Sequence, residues 1–135
     1  MEKRDEKLRL ILSKAESIAV VGASPNPARP SNIVAGYLLE KGYEVIPVRP
    51  KVSEILDRRC YSSLKDIIVP VDIVDVFRRV EACPDIARDA VAMGAKVLWL
   101  QEGIISEEAA AIACDGGLVV VMDEYTRKVH ERLLA

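Results

Sequence analysis

Cysteine is scarce. Among 135 residues there are three, Cys60, Cys83 and Cys114, odd in number and widely spaced, with no C-x-x-C pair. A disulfide framework and a structural zinc site are therefore not expected, and a reducing, cytoplasmic setting fits. Histidine occurs once, as His130, so no pair of histidines is available to hold a metal. A positive charge excess is absent too. The formal net charge is −2, which argues against a general binder of nucleic acid or of a membrane surface, since both need a summed positive field. No apolar run approaches the length of a membrane span. The opening residues, "MEKRDEKLRL", are charged and lack the apolar centre of a signal peptide. No serine sits in a G-x-S-x-G elbow. Linkers and internal repeats are missing as well, so one domain over 1–135 is expected.

What is present is an alternation of two patterns. Apolar, β-branched runs at 18–23, 43–48, 72–77, 96–100 and 118–122 read as strands buried on both faces. Pro47 removes a donor and predicts imperfect pairing near the end of the second strand. Helical spacing appears at 4–14, 31–41, 84–93, 106–115 and 124–134. Ser31 and Ser106 are candidate N-caps, Pro84 suits a first helical position, and Gly42 and Gly94 are stops. Residues 51–67 read as irregular, with helical turns near 53–56 and 62–66. This order predicts an α/β fold: a doubly wound, mainly parallel, five-stranded sheet with helices on both faces. Such sheets take ligands outside the carboxyl ends of their strands, at the switch point.

The first of those ends carries "GASPNPARPSN", residues 22–32. Gly22 permits a sharp turn and close approach of a ligand. The helix that follows aims its free N–H groups back at the turn. Ser24, Ser31 and Arg29 add polar groups and one charge, and the prolines stiffen the loop. This is a candidate anion site; an ordinary strand-to-helix connection is the competing reading. The loop has no G-x-x-G after Gly22, unlike an ordinary dinucleotide loop. The second strand then ends in "VRPK". Arg49 and Lys51 stand where an NAD site places an acid for the ribose hydroxyls. Bases there favour a phosphorylated ribose, as in NADP or coenzyme A; solvated surface charge is the alternative. The third strand ends in "DVFRRVE". Phe77, Arg78 and Arg79 could line a groove, or Asp75 or Glu81 could pair with those arginines. The fourth ends in "LQEGI", where Glu102 could accept a hydrogen bond and Gly103 frees the backbone.

Together these segments resemble the small stand-alone CoA-binding proteins, whose fold is similar to the N-terminal CoA-binding domain of the succinyl-CoA synthetase α subunit. The resemblance runs from about Ser17 to His130 and leaves the N-terminal helix, 1–16, outside the core motif. It is carried by "AVVGASPNPARPSNIVAGYLLEKGYEVIPVRPK", "CYSSLKDI", "PVDIVDVFRRVEACPDI", "GAKVLWLQEGI" and "GLVVVMD". It implies a Rossmann-like domain that binds coenzyme A, or an acyl-CoA, through the 3′-phospho-ADP portion without catalytic machinery. On that resemblance Gly22, Ala23 and Ser24 meet the phosphates, assisted by Arg29 and Ser31. Pro50 and Lys51 meet the adenosine portion, with Lys51 near the 3′-phosphate. Phe77, Arg78 and Arg79 flank the groove, and Glu102 and Gly103 match a similar element of the synthetase domain. The synthetase's glycine-rich turn and its second domain with a phosphorylated histidine have no counterpart in this chain.

The remaining chemistry-bearing residues read as follows. His130 is expected on the surface of the last helix. Cys83, before Pro84 and near Arg78 and Arg79, is a candidate helix cap with a lowered thiol pKa, open to a mixed disulfide with coenzyme A; a small buried cysteine is the alternative. Cys114 reads as core. An NADP-binding oxidoreductase domain and a redox-sensing domain are the competing functions. The first and last helices offer a surface for a homodimer.

Overall fold

A computed structural model describes residues 2–134. Helix α1 (Lys3–Lys14) leads into strand β1 (Ser17–Val21), helix α2 (Pro30–Glu40) and strand β2 (Glu44–Val48). A short hairpin of β3 (Glu54–Ile55) and β4 (Arg58–Arg59) follows. Then come β5 (Ile73–Val76), α3 (Cys83–Ala92), β6 (Val97–Leu100), α4 (Glu107–Asp115), β7 (Val119–Val121) and α5 (Thr126–Leu133). The five longer strands pair in parallel in the order β2-β1-β5-β6-β7. Winding goes one way from β1 to β2 and the other way from β5 onward. The switch point therefore lies between β1 and β5, where this class of sheet opens a crevice.

Both sheet faces are covered, which explains the continuous apolar runs. On one face Val74, Val76, Leu98 and Leu100 pack on Ile86, Ala87 and Ala90 of α3 and on Ala109 and Ala113 of α4. On the other face Ile18, Val20, Ile73 and Trp99 pack on Leu8 and Leu12 of α1, Val34 and Leu38 of α2 and Val129 of α5. Trp99 is fully buried, and its indole N–H donates to the Glu124 carbonyl. Burying side chains of this size contributes about 1.5–3 kcal/mol each.

Three local expectations change. Pro47 does not interrupt the sheet: β2 stays in register with β1 through Val48. The Pro47 carbonyl accepts from Tyr61 N–H on the outer edge, so its missing donor points away from β1. Residues 53–56 are not helical; Leu56 and Asp57, at φ 52° and 60°, turn the β3–β4 hairpin. Ser31 is not the cap of α2. The helix begins one residue earlier, with Arg29 at the cap position and Pro30 first. Ser106 does cap α4, its hydroxyl accepting from Ala109 N–H.

His130 is also not on the surface. It is 6 % exposed, its Nδ1 lies 2.7 Å from the Tyr37 hydroxyl, and its ring meets Tyr37 and Tyr43 edge-on. Burial lowers its pKa, helped by the Lys41 charge. It bridges α5 and α2 as a neutral ring. The first and last helices pack on each other within the chain, tied by the Arg132–Asp5 ion pair at 2.8 Å, while Arg4 pairs at 2.8 Å with Glu124 just before α5.

Candidate functional site

The carboxyl ends of β1, β2, β5 and β6 open onto a crevice of about 1080 Å³. Ten of the thirteen residues singled out in the sequence line it: Gly22, Ser24, Arg29, Ser31, Arg49, Pro50, Phe77, Arg78, Arg79 and Glu102. Ala23, Lys51 and Gly103 do not. Ala23 is fully buried beneath the wall. Lys51 is exposed on the turn after Pro50, in left-handed backbone at φ 67°. The Gly103 N–H is bonded to Asp123 Oδ1 at 2.7 Å. Four lining residues escaped sequence reasoning: Pro30, Gln101, Ile104 and Tyr125. Three of them lie just past the ends of β6 and β7, the address that already pointed to Glu102.

Gly22 is where the crevice depends most on one residue. Its φ is +88°, and a Cβ there would stand 2.4 Å from the Phe77 carbonyl oxygen. Only glycine lets the β1 turn and the end of β5 approach this closely. The Gly22 and Ala23 N–H groups both donate to the Val48 carbonyl, at 3.0 and 3.3 Å. They are spent on the fold, so the first donors facing outward come later in the loop. That loop is held by its own side chains. Ser24 Oγ accepts from Asn26 N–H, Asn26 Oδ1 accepts from Ala28 N–H, and the buried Asn32 amide donates to the Ser24 carbonyl. Such local bonds fix the loop before anything binds.

The N-terminus of α2 faces the crevice uncapped. Arg29 makes no side-chain cap and the first turn holds no acid. Asn32 and Ile33 N–H bond to the Arg29 carbonyl, and Pro30 has no N–H. Ser31 N–H is left without an intrahelical acceptor, beside the positive end of the dipole. Around it stand Arg29, Arg49, Arg78 and Arg79, against one acid, Glu102. Among the described residues no carboxylate pairs with any of the four arginines. Among the described residues the Arg49 guanidinium hydrogen-bonds only to the Ala23 carbonyl, at 3.3 Å, and Glu102 lies 3.9 Å from Lys128. A cleft with an uncapped helix start and four unpaired guanidinium groups is built for an anion carrying several negative charges.

Residues 16–130 match the family described as CoA binding domain. The chain belongs to that family. It is 40% identical to YneT of Bacillus subtilis over 124 residues, covering 92% of each chain. It is 28% identical over 118 residues to an ADP-forming acetate–CoA ligase of Archaeoglobus fulgidus, covering 86% of this chain and 16% of the ligase. A solved structure of a protein from Pyrococcus horikoshii superposes with a TM-score of 0.94 at 44% identity, covering 97% of this chain and 92% of that one.

Within this CoA binding domain the arginines do not take the partners considered for them. Asp75, fully buried, is not paired with Arg78 or Arg79. It points to the α5 side of the sheet, where Gln101 Nε2 donates to one oxygen and the Thr126 hydroxyl donates to the other, at 2.9 Å for the latter. Thr126 N–H donates to Gln101 Oε1 at 3.2 Å, and Gln101 Nε2 also donates to the Thr126 hydroxyl. The sequence signal for this was an acid in the middle of a strand buried on both faces.

The cysteines differ from expectation. Cys83 is the first residue of α3, not its cap, and is fully buried, donating weakly to the Arg79 carbonyl at 3.5 Å. Burial pushes its thiol pKa up, against the pull of Arg78. It does not line the crevice, so a mixed disulfide with a ligand there has no geometric support. Cys60 is buried as well, with its pKa raised by desolvation. Cys114 is exposed rather than core, because α4 turns Ala109 and Ala113 inward instead. An aromatic disulfide reagent should therefore label one thiol of the native protein quickly, at Cys114, and all three only after unfolding. Rapid labelling at Cys83, read by peptide mass, would contradict its burial.

Proposed function

We propose that the crevice binds coenzyme A, or an acyl-CoA, through its 3′-phospho-ADP portion, and that the chain is a binding module with no chemistry of its own. The observation that carries this is the set of four unpaired arginines around the open start of α2, in a chain of the CoA binding domain family. Coenzyme A spreads its charge over a pyrophosphate and a ribose phosphate, and the arginines are spread in the same way. Ser24, Ser31, Arg29 and Arg78 hold the pyrophosphate. Arg49, beside Pro50, takes the ribose 3′-phosphate. It takes the place given to Lys51 because it lines the crevice and Lys51 does not. Phe77, Ile104 and Tyr125 form the less polar wall for the pantetheine arm.

Thermal stabilisation by a set of ligands tests the reading. Coenzyme A should raise the melting temperature most, and 3′-dephospho-CoA less, with NAD inert. A charge-assisted hydrogen bond is worth roughly 1.5–3 kcal/mol, so loss of the 3′-phosphate should weaken binding about 10- to 100-fold. Stabilisation by NADP with none by coenzyme A would refute the proposal.

A further inference from the structure

The Asp75–Gln101–Thr126 cluster lies one side chain behind the crevice. Gln101 is part of the crevice wall, and Thr126 follows Tyr125, another wall residue. All of the Gln101 amide is turned inward, its nitrogen to Asp75 and Thr126 and its oxygen to Thr126 N–H. Among the described residues the carboxyl has no counter-ion. β1 presents Val20 as its paired residue and β6 presents Trp99, while α5 contributes only Thr126. No charged group faces Asp75 from these elements, and only its burial and these two neutral partners act on it. The crevice lies directly across Gln101 from this carboxyl, so charge brought into it acts on Asp75 through one side chain. A bound polyanion brings negative charge to the other side of Gln101, which disfavours the Asp75 anion.

We propose that occupancy of the crevice by a polyanion is coupled to protonation of Asp75 across the Gln101 wall, so that binding takes up a proton. This rests on the crevice being an anion site, as in the proposed function. Burial holds Asp75 at about 7, so its charge changes in the pH range where the coupling is observable. The Thr126 hydroxyl can donate to the carboxylate or accept from the carboxylic acid, so the cluster suits either state. By reciprocity, ligand affinity falls as pH rises through the Asp75 titration. One charge acting through a protein-like dielectric moves a titration by about one unit. Near pH 7.5 that corresponds to uptake of about half a proton per ligand bound.

Calorimetric titration with 3′-dephospho-CoA, which lacks the titrating ribose phosphate, tests this in two buffers of different ionisation heat. The wild type should take up about half a proton more than D75N near pH 7.5, and no more than D75N at pH 5. A second reading needs no variant. The carbon-13 shift of the Asp75 carboxyl, followed against pH, should show its midpoint rise by about one unit on saturation with ligand. An unmoved midpoint, or equal proton uptake by the wild type and D75N, overturns the coupling while leaving CoA binding intact. If no CoA species binds, the proposed function fails. Inorganic pyrophosphate, which needs only the arginines, then replaces it in both experiments, and its failure to bind or to move the Asp75 midpoint overturns the coupling too.

Discussion

Replacing Gly22 with alanine should lower the stability of the fold by about 2–6 kcal/mol and abolish ligand binding. Two effects combine. A side chain at φ +88° is strained by about 1–3 kcal/mol. The new methyl also meets the Phe77 carbonyl oxygen at 2.4 Å, and forcing an extra carbon into a packed site costs about 1–3 kcal/mol more. The atom it meets is backbone of the adjoining strand end, so relief requires β1 and β5 to part where the crevice is formed. Gly42→Ala is the control. Its φ is +95°, yet nothing lies within 4 Å of the added carbon. It should lose only the conformational share and keep ligand binding. Urea unfolding of both variants reads the difference. Equal losses would show that contact with Phe77 is not what makes Gly22 necessary.

Asp75→Asn should stabilise the protein above pH 7 and leave it unchanged below pH 4. The carboxyl titrates near 3.8 when unfolded and at about 7 when folded. Its folded pKa is raised, so the folded state binds the extra proton, and Asp75 is harmless while both states are protonated. Stability then falls as pH rises from about 4, and the loss is complete above 7. A gap of about three units corresponds to about 4 kcal/mol at 1.36 kcal/mol per unit. Asparagine keeps an oxygen for the Gln101 amide and offers an N–H to the Thr126 hydroxyl, so the variant escapes this penalty. The measurement is the unfolding free energy of both proteins at pH 4, 6 and 8. Wild-type and variant curves that stay parallel over that range would show that Asp75 does not carry a buried charge.

The sheet was legible because its strands are buried on both faces and so read as unbroken β-branched runs. The crevice address followed from the same pattern, since a doubly wound sheet has one switch point. What stayed hidden depended on register or on unusual backbone. The β3–β4 hairpin turns through Leu56 and Asp57, both at positive φ, without the glycine or asparagine that usually marks such a turn. Pro47 looked disruptive because the sequence does not say that its missing donor faces an edge. His130 lay in a polar helix whose buried side is marked by few apolar residues. Cys83 stood beside arginines in sequence, but the first turn of α3 carries it under the sheet. Asp75 alternates with apolar neighbours along its strand, and only the pairing of β5 with β6, which sets Trp99 opposite it, shows that Gln101 two residues further on, and not an arginine, reaches its carboxyl. Lys51 was one residue too far along, because the turn after Pro50 carries it out of the crevice that Arg49 still reaches.

The central claim is that coenzyme A occupies the crevice at the switch point. Amide chemical-shift mapping during a titration with coenzyme A tests both binding and place. The largest shifts should fall on Ser24, Arg29, Ser31, Arg49, the Phe77–Arg79 turn and the Gln101–Tyr125 wall, saturating at one ligand per chain. A spectrum that does not change, or shifts confined to α1 and the opposite end of the sheet, would contradict the account.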